Sequence, residues 1–134
     1  MAAEPAGTLP IASEQHIVLC RQTVRVLCTQ LKFSLVDQTK LITAASELSR
    51  NTLVHGGGGQ MRWETLERQG RHGLQLHFED TGPGISDLKL ALTDGWTSGG
   101  GMGLGLPGSK RLVNEFEVHT VPGEGTRVSI TKWK

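Results

Sequence analysis

Three polar residues near the middle of the chain have the types and the spacing of a small reaction centre. Glu47, Asn51 and His55 recur every four residues in SELSRNTLVHG, so on a helix they form one polar stripe. An asparagine oxygen can ligate Mg²⁺, which takes oxygen donors and keeps several waters. A glutamate one turn away can accept a proton from a nucleophile. The same stripe also fits a solvated helix face, on which His55 would favour the helix C-terminal dipole.

Two glycine-containing segments are the other candidates. In HFEDTGPGISD, Asp80 ends a strand-like run and is followed by a turn with Gly82 and Gly84; taken alone, this is also the pattern of a simple tight turn. In WTSGGGMGLGL, residues 96–106, successive backbone N–H groups lead into a helix and can form an anion site for phosphates. A flexible loop fits the same composition equally well.

Two better-known phosphate-binding patterns are rejected for the second segment. Gly103-x-Gly105-x-x-Gly108 matches the dinucleotide fingerprint, but a glycine tract rather than a strand precedes it. The stretch from Gly103 to Lys110 is close to a Walker loop, yet its last two residues, Ser and Lys, stand in reversed order.

The periodicity of apolar residues predicts the elements that position these candidates. Apolar residues at 17, 20, 24, 27, 28 and 31 predict a helix after Ser13, and a second helix, capped by Ser34, stops at Gly56. Alternating residues predict a short edge strand at 9–12, a hairpin, and strands at 117–121 and 126–133. Further helices are expected at 87–95, capped by Ser86, and from about 103 through Phe116. Helices followed by strands with one late helix predict an α+β fold, with helices on one face of a mixed, mainly antiparallel sheet.

Composition limits the classes of protein that this chain can be. Its 134 residues suit one domain, expected over 9–134, with a flexible N-terminus at 1–8. A net charge of +1 argues against a nucleic-acid partner, and no apolar stretch approaches the ~20 residues of a membrane span. No signal peptide is expected, so the default compartment is the cytoplasm. Cys20 and Cys28 would lie roughly 12 Å apart on a helix, too far for a disulfide, and are interpreted as buried thiols, with a redox role left open.

The order of the motifs points to one family. ELSRN, EDTGPGI, GGGMGLGL and the late GEGT resemble the N, G1, G2 and Gly-Thr boxes of the GHKL (Bergerat-fold) ATP-binding family. Each box is weak alone, but all four in this order are specific. SELSRN, GLPGSKRL, NEFEV and GTRVSITKW extend the resemblance to the switch serine/threonine kinases of the bacterial stressosome, over positions 9–134.

The resemblance implies a role for individual residues. Asp80 would accept a hydrogen bond from the exocyclic amine of adenine, with Gly82 and Gly84 leaving room for the base, and Asn51 would ligate Mg²⁺. Glu47 would be the general base, and Thr126 would support the base pocket through its hydroxyl. Residues 85–105 would form a flexible, glycine-rich ATP lid. The nucleotide contacts expected along this lid and just after it are Ile85, Gly101, Met102, Gly103, Leu104, Gly105 and Leu106.

Two functions from different classes follow from this reading. The first is an ATP- and Mg²⁺-dependent serine/threonine protein kinase that phosphorylates a STAS-domain antagonist or scaffold protein, then acts on a downstream phosphatase or cyclase. The alternative is a nucleotide-dependent anti-sigma or partner-binding module with little or no phosphotransfer. Arg50 either pairs with Glu47, which would lower the pKa of that carboxyl, or steadies a phosphate, and His55 is given no catalytic role.

Overall fold

The computed structural model describes residues 3–85 and 105–134, which form three helices and five strands. In chain order these elements are β1 (Ala6–Ile11), α1 (Glu14–Gln30), α2 (Leu35–Val54), β2 (Gly59–Arg68), β3 (Arg71–Asp80), α3 (Gly105–Arg111), β4 (Glu115–Val121) and β5 (Gly125–Trp133).

The strands form one sheet in the order β1-β2-β3-β5-β4, and all four pairings among them are antiparallel. The predicted α+β fold is confirmed. The expectation of a mixed sheet is wrong for the described strands, because the hairpin β2–β3 and the hairpin β4–β5 join through β3 and β5, which run in opposite directions. Within the described residues, no helix is long and apolar enough to cross a bilayer.

One face of the sheet packs on the helices and the other is polar. Apolar residues of the strands alternate with polar ones, so one set points to the helices and forms the core. Members of this helix-facing set are Met61, Trp63, Leu74, Leu76, Phe78, Val128 and Ile130. The alternation places Asp80, two residues after Phe78, on the same helix-facing side.

The first two helices begin where the sequence predicts. Ser13 takes an extended N-cap conformation, and Ser34 accepts a hydrogen bond from the Asp37 backbone N–H at 3.1 Å, as an N-cap does. Asp37 also lies 3.6 Å from Nζ of Lys132, which is 8% exposed, so the start of α2 is tied to the last strand.

The largest differences from the predicted element boundaries are at the start of β1 and the end of α3. β1 begins at Ala6, so residues 6–8 of the expected flexible N-terminus belong to a strand, and the Gln30 side chain bonds the backbone of Ala3. α3 ends at Arg111 rather than at Phe116. The chain leaves the helix because the Asn114 N–H donates to the Thr131 carbonyl at 3.0 Å and the residues that follow pair with β5. The helix predicted at 87–95 lies outside the described residues.

Both cysteines are fully buried and unpaired, as predicted. Burial raises the pKa of Cys20 to about 11, against a smaller opposing effect of a Ser49 hydrogen bond. Burial, reinforced by the charge of Asp37, raises the pKa of Cys28 to about 12. A thiol is the reactive nucleophile only as its thiolate, so neither side chain has the character of a redox centre.

We expect the native protein to resist a thiol reagent such as a disulfide dye at pH 8. Both thiols should react only after unfolding in guanidinium, because burial both blocks access and keeps them protonated. Absorbance on dye release measures this directly. Rapid labelling of two thiols without denaturant would contradict the burial of Cys20 and Cys28.

Candidate functional site

A row of side chains crosses the helix-facing side of the sheet at one end. Asp80 on β3 pairs with Gly59 of β2 and with Thr126 of β5, and Thr126 in turn pairs with Thr120 of β4. Because directly paired residues of antiparallel strands point to the same face, Asp80, Thr126 and Thr120 all face the helix layer. The sequence predicts the first two as site residues, and the pairing adds Thr120.

The carboxylate of Asp80 is held in a defined orientation. Its Oδ1 accepts a hydrogen bond from the Gly82 backbone N–H at 2.9 Å, which closes a local turn. Its other oxygen, Oδ2, lies against Gly56, just beyond the end of α2. Asp80 is half-buried, and the Gly82 hydrogen bond gives its carboxylate a fixed direction.

The glycines of the turn are needed for close backbone approach. A Cβ on Gly82 would lie 2.6 Å from the Gly56 carbonyl oxygen. Gly84 has a φ of +74°, and a Cβ there would lie 2.5 Å from the Val121 carbonyl oxygen. From the sequence these glycines are expected to leave room for a base, and the packing adds a second reason for glycine at both positions. Both glycines let the turn pack between the end of α2 and the end of β4.

Gly56 is a site residue that the sequence analysis assigns only to helix termination. A Cβ at this position would collide with Cγ, Cβ and Oδ2 of Asp80. The run of four glycines at 56–59 was a signal of this close approach, but the sequence does not say which of the four faces the carboxylate.

Gly56→Ala should therefore destabilise the fold by about 1–3 kcal/mol, the usual range for overpacking. Thermal or urea unfolding measures this loss. The same change in an Asp80→Gly background should cost clearly less, since the atoms in the way of the new methyl are gone. Equal losses in both backgrounds would show that Gly56 and Asp80 are not in contact.

The hydroxyls of Thr120 and Thr126 form a small network beside Asp80. They lie 2.9 Å apart, and Thr120 Oγ1 also bonds the Gly125 carbonyl at 3.1 Å and the Ile85 N–H at 2.8 Å. The hydroxyl of Thr126 thus contacts the hydroxyl of Thr120 on the neighbouring strand. The side chain of Ile85, expected to touch a nucleotide, packs partly against the core.

Helix α2 carries the other predicted residues, Glu47 and Asn51, one turn apart. Oε1 of Glu47 accepts a hydrogen bond from the backbone N–H of Gly105, the first residue of α3, at 3.4 Å. The side chain of Asn51 is half-buried, and the described part of the chain gives its amide no hydrogen-bond partner. The carbonyl of Asn51 accepts from the His55 and Gly56 N–H groups, which joins it to the residue that packs on Asp80.

Arg50 and His55 fall at the margin of this arrangement. The guanidinium of Arg50 lies 3.3 Å from the Glu14 carboxylate on α1, which differs from the pairing with Glu47 considered from the sequence. Both partners are exposed, so the pair contributes little to stability. His55 ends α2, where its backbone is the C-cap.

The segment expected to form the ATP lid, residues 85–105, is described only at its two ends. Gly101, Met102, Gly103 and Leu104 lie outside the described residues, as does the rest of the segment 86–104. Gly105 reaches Glu47 through its backbone. Leu106 is 7% exposed and belongs to the hydrophobic core, which leaves its backbone rather than its side chain for a ligand.

The polar face of the sheet carries a separate set of charges. Burial alone would raise the pKa of Glu79, but hydrogen bonds from Gln60 and Arg62 outweigh it and hold the pKa below its usual value. Burial lowers the pKa of His77, whose Nδ1 lies 2.7 Å from the Ser129 hydroxyl. A cavity of about 380 Å³ also lies on β4 and β5, and none of the predicted site residues lines it.

Known proteins resemble this chain in sequence and in fold. Residues 36–134 match the family described as histidine kinase-, DNA gyrase B-, and HSP90-like ATPases. The chain is 44% identical over 123 residues to the serine/threonine-protein kinase RsbT of Bacillus subtilis (strain 168), covering 92% of each chain. It is 27% identical over 131 residues to the anti-sigma F factor of Clostridium novyi (strain NT), covering 91% of this chain and 89% of that one.

A solved structure supports the same fold. The crystal structure of the RsbU and RsbW domains of Rv1364c from Mycobacterium tuberculosis aligns with 99% of this chain at a TM-score of 0.65. The sequence identity is 17%, and the chain spans 34% of that longer chain. At this identity the likeness establishes the fold alone.

Proposed function

The chain belongs to the family of histidine kinase-, DNA gyrase B- and HSP90-like ATPases, the GHKL family that its motifs predict, and from this membership we propose that it is a serine/threonine protein kinase. It transfers the γ-phosphoryl group of ATP to a hydroxyl of a partner protein. The partner is a STAS-domain antagonist or scaffold in a stressosome-type partner-switching pathway, and release from it leads to a downstream phosphatase or cyclase. The proposed compartment is the cytoplasm, with no nucleic-acid or membrane partner.

The observation that carries this proposal is the order of groups along α2. Glu47 lies beside the start of α3, Asn51 follows one turn later, and Gly56, just beyond the end of α2, packs against Asp80. A rise of about 1.5 Å per residue separates the two ends of this stretch by roughly 13 Å. An elongated nucleotide lying along α2 would thus have its base at Asp80 and its phosphates near Glu47.

Asp80 is suited to recognise adenine. A carboxylate accepts hydrogen bonds but cannot donate them, so it favours a purine that presents an amine at this position. Each carboxylate oxygen has two acceptor sites, and the Gly82 N–H uses only one of those on Oδ1. Because the turn fixes the carboxylate before the ligand arrives, little ordering is needed on binding.

Asn51 would supply the single protein ligand to a Mg²⁺ ion whose other ligands are nucleotide phosphates and water. Magnesium in phosphate-transfer sites is held by one or two protein oxygens together with substrate phosphates and water. The amide of Asn51 lacks a hydrogen-bond partner in the described residues, and among these residues no group of three His, Cys, Asp or Glu side chains could hold a metal ion. The ion would therefore arrive with the nucleotide, and it would offset negative charge on the phosphates.

Glu47 is placed to act as the general base. Its bond to the Gly105 N–H is long at 3.4 Å, so turning the carboxylate toward a substrate hydroxyl costs little. Glu47 would accept the hydroxyl proton while the oxygen forms a bond to the γ-phosphorus. The bond from that phosphorus to the β,γ-bridging oxygen breaks, and ADP leaves.

One observation favours the alternative of a binding module. An anti-sigma F factor is 27% identical to this chain, and in such a module the nucleotide would select a protein partner without being consumed. The kinase proposal is preferred because the 44% identical relative is named a serine/threonine kinase. The two functions differ in whether phosphate leaves ATP.

Transfer of label from γ-labelled ATP tests the proposal. The protein is mixed with Mg-ATP and purified STAS domains from the same genome, and the labelled residue is located by mass spectrometry. The expected result is one modified serine or threonine on one STAS domain. Tight ATP binding and partner capture without any transfer would favour the binding module instead.

A further inference from the structure

We propose that Thr120 is a positioning residue for the nucleotide base, acting through the turn that follows Asp80. The inference rests on the proposed function, because the ligand it concerns is the adenine that Asp80 would bind. Thr120 lies on the edge strand β4, and its hydroxyl makes the contacts that hold this turn in place.

The hydroxyl of Thr120 is fully used. It accepts the Ile85 N–H at 2.8 Å and donates its own hydrogen to the Gly125 carbonyl at 3.1 Å. A hydroxyl has one donor and two acceptor positions, and the second acceptor position is occupied by the Thr126 hydroxyl, which donates to it at 2.9 Å. One side chain therefore joins β4, β5 and the residue at the far end of the turn.

A second contact holds the same segment from its other side. The Gly123 N–H in the β4–β5 turn donates to the Pro83 carbonyl at 2.7 Å. Gly84 lies between these two bonds, with its Cα against the Val121 carbonyl. We call residues 83–85 the docked segment, since the β4–β5 hairpin holds it on both sides of Gly84.

The docked segment determines where the Asp80 carboxylate points. Gly82, whose N–H bonds Oδ1 of Asp80, directly precedes it. Loss of the Thr120 hydroxyl would leave the Ile85 N–H without its partner and free the segment at one end. The turn and the carboxylate would then sample more orientations, and a smaller fraction of these orientations would be able to bind the base.

This mechanism predicts a loss of nucleotide affinity without a loss of chemistry. Glu47 lies about two helical turns before the C-terminal end of α2 and is remote from Thr120, which lies on β4 next to Thr126. A change that weakens ground state and transition state equally raises KM and leaves kcat unchanged. A merely structural role of Thr120 would lower the melting temperature and leave both constants of the folded protein unaltered.

Three variants separate these cases. Thr120→Val removes the hydroxyl but keeps the shape, and Thr120→Ser keeps the hydroxyl. Thr131→Val is the matched control, because Thr131 is a buried threonine of the same sheet whose hydroxyl accepts a bond from Gln75 at 3.0 Å, on the polar face. If Thr120→Val does not fold by circular dichroism, Thr120→Ala replaces it.

Calorimetry with ATP, transfer kinetics and hydrogen exchange at the Ile85 amide form the test. In Thr120→Val we expect the Kd and KM for ATP to rise about tenfold with kcat within about twofold, and the Ile85 amide to lose protection in the nucleotide-free protein. Thr120→Ser and Thr131→Val should both keep the parental Kd. Parental Kd in Thr120→Val would overturn the inference.

The failure of this inference can be distinguished from the failure of the proposed function. If the parent binds ATP and Thr120→Val binds it equally well, only the positioning role is wrong. If the parent binds no ATP, the proposed function fails and the role of Thr120 toward a nucleotide fails with it. Faster Ile85 exchange together with unchanged affinity would also overturn the inference, because the contact would then be structural only.

Discussion

Glu47→Gln should abolish phosphoryl transfer while ATP binds with nearly parental affinity. The amide is almost the same size and its oxygen can still accept the Gly105 N–H, so the fold around α2 and α3 is kept. It cannot take up the hydroxyl proton, and loss of a general base costs about 10²–10⁴ in rate. Initial rates of label transfer to the STAS partner, with ATP affinity by calorimetry, measure both quantities.

Glu67→Gln is the control for this variant. Glu67 lies at the exposed end of β2, where its carboxylate is 3.8 Å from His72, and it has no part in the site. Transfer by Glu67→Gln should equal that of the parent. If Glu47→Gln transferred phosphate as fast as Glu67→Gln, another group would have to be the base, or the reaction would need none.

Asp80→Asn should weaken ATP binding by about 10- to 100-fold. The change removes the charge from a hydrogen bond worth about 1.5–3 kcal/mol, and one orientation of the amide would present a donor to the adenine amine. The Gly82 N–H can still bond the amide oxygen, so the turn should keep its shape. Isothermal titration with ATP measures the loss, and GTP should bind poorly to both proteins.

The neighbouring acid provides a matched control. Glu79 precedes Asp80 on the same strand but points to the polar face, where it bonds Gln60 and Arg62. Its lowered pKa means that its charged form stabilises the fold above the unfolded pKa of about 4.3, and this stability is lost as the pH falls through the folded pKa. Glu79→Gln should therefore lower stability near pH 7 without changing ATP affinity. If Glu79→Gln lost as much ATP affinity as Asp80→Asn, neither carboxylate would be the specific hydrogen-bond acceptor for the base.

The sequence predicts well the features that local physics decides. The apolar stripe of α1, the Ser34 cap and the hairpin of β2 and β3 depend on residues close together in the chain, and all three are found. The placement of Asp80 on the helix-facing side follows from alternation with Leu74, Leu76 and Phe78.

What depends on contacts between distant segments could not be predicted from the sequence. The end of α3 at Arg111 is set by pairing with β5, and local periodicity does not contain that pairing. Thr120 is an ordinary strand residue until the register Asp80–Thr126–Thr120 places it beside the turn. The collision of a Cβ at Gly56 with Asp80 likewise requires the approach of α2 to β3.

A crystal structure with Mg²⁺ and a non-hydrolysable ATP analogue tests the central claim most directly. The prediction is an adenine amine about 3 Å from the Asp80 carboxylate, with Asn51 on the metal side of the phosphates and Glu47 near the γ-phosphate. A base bound elsewhere, with Asp80 still bonded only to Gly82, would contradict the site and the kinase mechanism built on it.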